Sequence, residues 1–281
     1  MDTASARVWR LQRRWSLAAD RAKRGLDRSR RLTLLLVVGA ASAGAAAAGT
    51  GSAAYAGLSA GATAVGAALA ARAGADLRTA TKLRAVSEAL KSEVYSFLAR
   101  AGRYLDGDRD AVLDERTAEL IPEDQATGSR VARQRPDDRK PPAVHDVPSY
   151  VDVRLTGQLE EYYRPKATRL AHWAAGFRYA QVSLTVLGGA LAGLAAAGNT
   201  QTAGWIGALT TAATAVAAHS AAARHEYLAL VYDRTAQRLE SLRGRWSSGR
   251  LGADVVTECE VLLATQNEAW LAQWNTAEGK G

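Results

Sequence analysis

The sequence predicts an all-α integral membrane protein built from two transmembrane helical hairpins, four spans in total, with long amphipathic helices outside them. Three observations predict it. Leu32 to Ala71 and Tyr179 to Ala223 carry no Asp, Glu, Lys or Arg. Each stretch is interrupted near its middle by turn-forming residues. All 36 Lys and Arg lie outside both stretches. The mean hydropathy of −0.16 would suit a soluble protein, but it averages over apolar and charged segments that are kept apart along the chain.

A span of about 20 residues crosses about 30 Å of hydrocarbon. Stretches of forty and forty-five residues therefore hold two spans each. Gly49-Thr50-Gly51-Ser52 breaks the first stretch and Gly198-Asn199-Thr200-Gln201 the second, all turn formers. The predicted spans are Leu32–Ala48, Ala53–Ala71, Tyr179–Ala197 and Thr202–Ala222. Trp173, Phe177, Tyr179, Trp205 and Tyr227 fall near their ends, where amphipathic rings suit the interface. Two other readings compete. The Ala- and Gly-rich spans fit buried hairpins of a soluble helical protein, but such helices keep a polar face. Leu34–Val38 resembles a signal-peptide core, but its basic leader is long and the apolar pattern continues.

Charge gives the orientation. Ten Arg and Lys precede Leu32 against Asp2, Asp20 and Asp27, a local charge of +7, and the hairpin tips carry none. The positive-inside rule places both termini and the middle of the chain in the cytoplasm. Arg outnumbers Lys thirty to six, as in a GC-rich bacterial gene. The expected location is the bacterial inner membrane, multi-pass.

Three regions follow: 1–105 with a basic amphipathic helix, the first hairpin and a stalk; 106–149 as a Pro-rich disordered linker; and 150–281 as a second helix, hairpin and stalk with a C-terminal amphipathic helix. In the first region Val8, Leu11, Trp15, Ala18 and Ala22 form one helix face. Arg7, Arg10, Arg14, Arg21, Arg24 and Arg28 are its candidate lipid-headgroup contacts. The apolar stripe equally suits packing on another helix. Beyond the second span, Leu83, Val86, Leu90, Phe97 and Tyr104 sit at heptad-like positions of a stalk.

The linker holds five of the six prolines, Pro122, Pro136, Pro141, Pro142 and Pro148, and its 128–140 stretch is nearly devoid of apolar residues. Ser149 is the expected N-cap of the next helix, with Pro165 kinking it or dividing it in two. A helix from Arg224 to Trp246 follows the fourth span and ends at Ser247-Ser248-Gly249. The last helix, Leu251 to Trp274, carries Val255, Cys259, Leu262, Gln266, Trp270 and Trp274 on one stripe, with the lone Cys259 a buried small hydrophobe. The layout repeats, as two copies of one two-span module.

No catalytic constellation is present, so no enzyme, metal or cofactor is predicted. His145, His172, His219 and His225 are scattered. Glu258, Glu260 and Glu268 read as a solvated helix face. The remaining candidates lie in the spans. Ser59, Thr63, Ser183, Thr185, Thr210, Thr211, Thr214 and His219 are candidate pore-lining residues, although a membrane Thr commonly bonds back to its own helix. Gly57 with Gly61 and Gly189 with Gly193 are small-xxx-small candidates for helix packing.

Tyr162-Tyr163, Lys166-Ala167, Trp173 and Phe177-Arg178 before a hairpin, then Tyr227…Tyr232 and Cys259-Glu260…Leu263…Glu268…Trp270 after it, resemble the SLATT family of bacterial two-transmembrane domains. The first half, with Ser87-Glu88-Ala89-Leu90-Lys91 after its hairpin, resembles a more divergent second copy. The spans are poorer in Leu and Ile than the family pattern, and the module is duplicated where many relatives have one. The resemblance implies an oligomeric membrane effector, pore-forming or membrane-disrupting, in a nucleotide-triggered conflict or antiphage system. It also implies a nucleotide-sensing or nucleotide-synthesising partner protein. The spans themselves imply the lipid bilayer as a partner, four spans are too few to enclose a wide channel without a homo-oligomer, and no nucleic acid is expected. A non-conducting scaffold or sensor that recruits a cytoplasmic partner is the alternative; a small transporter would need buried charged groups at mid-span.

Overall fold

The computed structural model describes residues 3–135, 139–198 and 203–276. The described residues are helical, with no strand among them, and four helices are long and apolar enough to cross a membrane. The chain is a multi-pass membrane protein. Its elements are α1 (Ala4–Thr50), α2 (Ala53–Ala99), α3 (Arg109–Leu120), α4 (Gln125–Ala132), α5 (Val147–Tyr150), α6 (Arg164–Ala196), α7 (Ala203–Ala223), α8 (His225–Ser247) and α9 (Asp254–Thr276). Between α5 and α6 the chain winds as π-helix over Val151–Thr156 and Gln158–Tyr163.

The first hairpin turns where the sequence predicts. α1 stops at Thr50, Gly51 takes φ +67°, and α2 starts at Ala53. A left-handed residue just beyond a helix end is Gly's role, because a Cβ there meets the following carbonyl. At the second tip Gly198 takes φ +97° after α6 ends at Ala196; Asn199, Thr200, Gln201 and Thr202 lie outside the described residues.

Two compact units cut across the sequence repeat. One, here the polar unit, gathers 1–24, 76–166 and 231–281. The other, here the span unit, gathers 25–75 and 167–230. The polar unit is organised around one apolar cluster drawn from α1, α2, α3, the π segment, α8 and α9. Val8, Trp15, Leu83, Leu90, Val94, Leu113, Leu155, Leu159, Leu239 and Val255 are all buried in it. The stripe Val8, Leu11, Trp15, Ala18 and Ala22 packs into this cluster. That contact occupies the apolar face, so α1 does not present it to lipid.

Residues 106–149 differ from the unfolded linker that composition predicts. α3 and α4 form there, each capped by an aspartate: Asp108 accepts from Ala111 N at 3.1 Å and Asp124 from Ala126 N at 3.1 Å. Leu113, Val131 and Val144 are buried, and Trp9 Nε1 donates to Arg139 O at 3.0 Å. The segment has few apolar residues, but a core supplied by distant parts of the chain takes nearly all of them. Pro136 lies outside the described residues.

The N-cap before the second module is Asp146, three residues earlier than Ser149. Ser149 N donates to Asp146 Oδ1 at 2.9 Å and Asp146 N to Ser149 Oγ at 3.1 Å, a reciprocal capping box. Pro148 is tolerated in this first turn, where a backbone N–H has no helical acceptor. At Pro165 the sequence predicts a kink or break; the structure changes from π to α winding at Arg164.

Candidate functional site

In the span unit the predicted pore-lining hydroxyls are mostly spoken for by backbone. Thr63 Oγ1 donates to Ser59 O at 2.8 Å, Thr185 to Gln181 O at 3.0 Å, Thr210 to Ile206 O at 2.9 Å and Thr214 to Thr210 O at 2.9 Å. Each bond satisfies the hydroxyl within its own helix. Thr63, Ser183, Thr185, Thr210, Thr211 and Thr214 are all exposed in the single chain. Ser59 is the exception: it is half-buried and its Oγ donates to Ala40 O across the first hairpin at 2.8 Å. His219 is half-buried and packs on Phe177, ring centroids 5.2 Å apart, with His225 stacked on the same ring at 5.3 Å.

The predicted packing glycines are also displaced. Gly57, Gly61, Gly189 and Gly193 have open space where a Cβ would sit. Close approach occurs elsewhere. A Cβ on Gly44 would stand 3.3 Å from Ser59 Oγ, and one on Gly204 3.4 Å from Ala45 O and 3.7 Å from Ala48 Cβ. A Cβ on Gly66 would meet Leu36 and one on Gly188 would meet Leu209. The small-xxx-small spacing identifies a narrow face but not which helix faces it, and the phase of each helix put neighbouring glycines inside.

The candidate headgroup arginines divide. Arg7 is paired with Asp114 at 2.9 Å. Arg10 takes part in an interaction of its own. Arg14, Arg21, Arg24 and Arg28 are exposed.

The polar unit contains a buried ionic network around Glu260, a residue that the sequence reading places on a solvated face. Arg154 is 2 % exposed and Glu260 is 7 % exposed. Arg154 Nε donates to Glu260 Oε1 at 2.9 Å and Nη2 to Oε2 at 3.0 Å, a bidentate pair. Tyr150 OH donates to Glu260 Oε1 at 2.7 Å, and the Arg154 guanidinium lies 4.6 Å from the Tyr95 ring centroid. The Nη1 of Arg154 is buried and has no hydrogen-bond partner. Burial opposes the charge on Arg154, yet Glu260 holds its pKa well above the ordinary value. Burial followed by the Glu260 carboxylate lifts the Tyr150 phenol, and the same two influences push the buried Cys259 thiol up to about 12.

A second cluster adjoins it in sequence and in the same unit. Arg84 pairs with Glu88 at 2.7 Å, and Lys91 lies 3.9 Å from Glu88. Burial opposes ionisation of Glu88, but Lys91 and Arg84 win and its pKa falls. Tyr162, Tyr163 and Tyr232 meet with centroids 5.1–6.1 Å apart. Lys166 Nζ donates to Tyr162 OH at 2.7 Å, and Tyr163 OH donates to Gln266 Oε1 at 2.9 Å. Burial lowers the Lys166 pKa.

The sequence holds a signal for the network. Val256, Cys259, Glu260 and Leu263 recur at helical spacing, so Glu260 stands within an apolar stripe. On the facing segment Tyr150, Arg154, Leu155, Leu159 and Tyr163 are all buried at four- and five-residue spacing. That spacing is what i→i+5 winding produces, and α periodicity alone does not reveal it. Among the described residues no group of three or more His, Cys, Asp or Glu converges as a metal site. Trp270 and Trp274, expected on the α9 stripe, have side chains outside the described residues, as does Glu268.

Comparison with known proteins follows the two halves of the sequence. Residues 13–111 match the family described as Protein of unknown function (DUF4231). No curated protein and no solved structure matches the chain. Residues 150–270 match the family described as SMODS and SLOG-associating 2TM effector domain 1, in tandem with the first match.

Proposed function

We propose that this protein is an oligomeric membrane effector that permeabilises the bacterial inner membrane, with both termini cytoplasmic, when a nucleotide-linked partner triggers it. The family description of residues 150–270 carries this reading, since it groups the segment with two-transmembrane effectors associated with SMODS and SLOG proteins. A partner of that kind would make or sense the nucleotide. The geometry supports assembly. Hydroxyls and open small-residue faces lie on the outside of the span unit, where a second copy would meet them. Small faces let membrane helices approach closely. A passage would then form between chains. The asymmetry of charge about the spans supports the orientation.

The test is induced expression of the full chain in bacteria with a voltage-sensitive dye, alone and with a co-expressed nucleotide-synthesising partner. Depolarisation is expected within minutes of triggering. An unchanged membrane potential under every trigger overturns conduction. The own-helix hydrogen bonds of Thr63, Thr185, Thr210 and Thr214 favour a second reading, a non-conducting anchor for a partner-binding polar unit. That reading predicts that unrelated spans substitute without loss of function.

A further inference from the structure

Six arginines of the polar unit pair with carboxylates. Arg7 meets Asp114, Arg84 meets Glu88, Arg116 meets Glu93, Arg154 meets Glu260, Arg164 meets Glu240 and Arg245 meets Glu258. Four further arginines of this unit meet around one concavity. A half-open cavity of about 280 Å³ is lined by Leu17, Arg21 and Arg24 of α1 and by Arg133, Gln134 and Arg135 beyond α4. None of its four guanidiniums is ion-paired to a carboxylate among the described residues. Four like charges gathered around one concavity repel each other, and an anion relieves that repulsion.

The arrangement is held by neighbours rather than by the arginines themselves. Gln134 is buried, its Nε2 donates to Arg130 O at 2.9 Å and its backbone N to Val131 O at 2.9 Å. This fixes the backbone that carries Arg133 and Arg135 on either side. Val131 and Thr127 anchor α4 in the core, and Lys82 pairs with Asp124 at its N-cap. On the other wall, Trp15, Ala18 and Ala19 seat α1 in the core and turn Arg21 and Arg24 outward. Leu17, half-buried, gives the cavity one apolar contact.

We propose that this pocket binds a compact phosphate-bearing anion. Guanidinium groups engage phosphate oxygens bidentately and stay charged at any physiological pH. The volume lies at the small end of ligand pockets, which fits a one- or two-phosphate group rather than an extended ligand. Two sources share that chemistry: a water-soluble phosphate ester and a lipid headgroup phosphate. Arg24 precedes the first charge-free residue, Leu32, by eight positions, about 12 Å of helix, which keeps the lipid source in reach. The site stands whether or not the spans conduct.

The experiment uses the full chain purified in an uncharged detergent, titrated separately with inorganic pyrophosphate and with dioctanoyl phosphatidic acid. Saturable binding of pyrophosphate assigns a soluble ligand; saturable binding of phosphatidic acid alone assigns a headgroup. Arg133→Gln with Arg135→Gln is expected to weaken whichever binds by about tenfold or more, and Arg14→Gln, on the same helix outside the pocket, by less than about twofold. Arg133→Lys with Arg135→Lys keeps the charge and loses the fork, with an intermediate loss. Dicarbonyl modification of the unmutated protein provides a readout free of folding effects: ligand protects Arg133 and Arg135 and leaves Arg14 reactive. Saturable binding of neither probe overturns the proposal, and so does equal loss in the Arg14 and pocket variants or uniform protection.

Discussion

The two units solve the same problem, a helical bundle with polar groups to satisfy, in opposite ways. The polar unit places large aromatic side chains inside, and there Arg154 answers Glu260 and Arg84 answers Glu88 side chain to side chain. The span unit packs through Gly and Ala and turns its large residues out: Leu35, Leu58, Tyr179, Val186 and Trp205 are exposed. Its hydroxyls answer backbone. The difference follows from the solvent each expects. Water rewards burial of apolar area, so a water-facing bundle builds a large-residue core. Lipid rewards no such burial, so helices there associate through close fit of small residues. The same chain uses Ala as filler in one setting and as contact surface in the other.

The sharpest way to break this contrast is to remove one partner of the buried pair. Glu260→Ala leaves the Arg154 guanidinium buried without its carboxylate. It should cost the polar unit about 3–5 kcal/mol, read as a fall in the denaturant midpoint of the detergent-solubilised protein. Arg154→Met with Glu260→Leu replaces both charges by apolar volume and should recover most of that loss. Equal loss in the single and double variants would show that the pair contributes more than mutual neutralisation.

The four spans and the first turn were legible because charge is absent over long stretches and Gly51 demands a left-handed backbone. Cys259 was legible as a buried small residue. What sequence patterning missed has two physical causes. The π winding at 151–163 shifts the repeat away from α periodicity, hiding Arg154 in an apparently mixed face. The folded state of 106–149 depends on core surface from residues more than a hundred positions distant, as the hydrogen bond from the buried Trp9 indole to Arg139 O illustrates. Glycine phase in the spans was illegible for a related reason: spacing is local, whereas the facing helix is not.

Leu113 tests that second cause. It is fully buried, so Leu113→Ala should destabilise the polar unit by about 2–5 kcal/mol and open 106–149 to limited proteolysis. A cleavage pattern identical to that of the parent would return the segment to the status of a linker. In the span unit the matching change is Gly204→Leu, which forces bulk against Ala45 O and Ala48. Overpacking there should cost about 1–3 kcal/mol in thermal unfolding, while Gly57→Leu should leave the single chain's stability unchanged. A Gly57→Leu protein that loses oligomers on multi-angle scattering would locate chain-to-chain contact on that open face.

High pH separates the units more gently. The Cys259 thiol, held near 12 by burial and Glu260, titrates near 8.5 in unfolded chain. Between those values the unfolded state releases the proton and the folded state keeps it. Stability therefore falls as pH rises through that window, by up to about 1.4 kcal/mol per pH unit for one such group. The buried Tyr150 phenol extends the decline in the same direction. Cys259→Ala should flatten the early part of the curve, and alkylation of Cys259 at pH 8 should track unfolding. Fast alkylation of the folded protein would mean that the thiol is not shielded as its burial requires.

The smallest effect concerns how α2 ends. Arg100 takes φ +54°, and Ala101 N donates to Ser96 O at 3.1 Å while Arg100 N donates to Phe97 O at 3.3 Å. These are the two bonds of a Schellman close, whose left-handed position glycine favours. At the hairpin tip the corresponding residue is Gly51; at Arg100 a Cβ tolerates the strain because Ala101 and Tyr104 are buried immediately beyond and fix the path. Arg100→Gly relieves the strain and loosens the unfolded chain, and the first effect should prevail by about 0.5–1 kcal/mol. A rise of a few degrees in the unfolding temperature is the expected outcome. A fall would mean that the Arg100 side chain contributes contacts worth more than the backbone penalty.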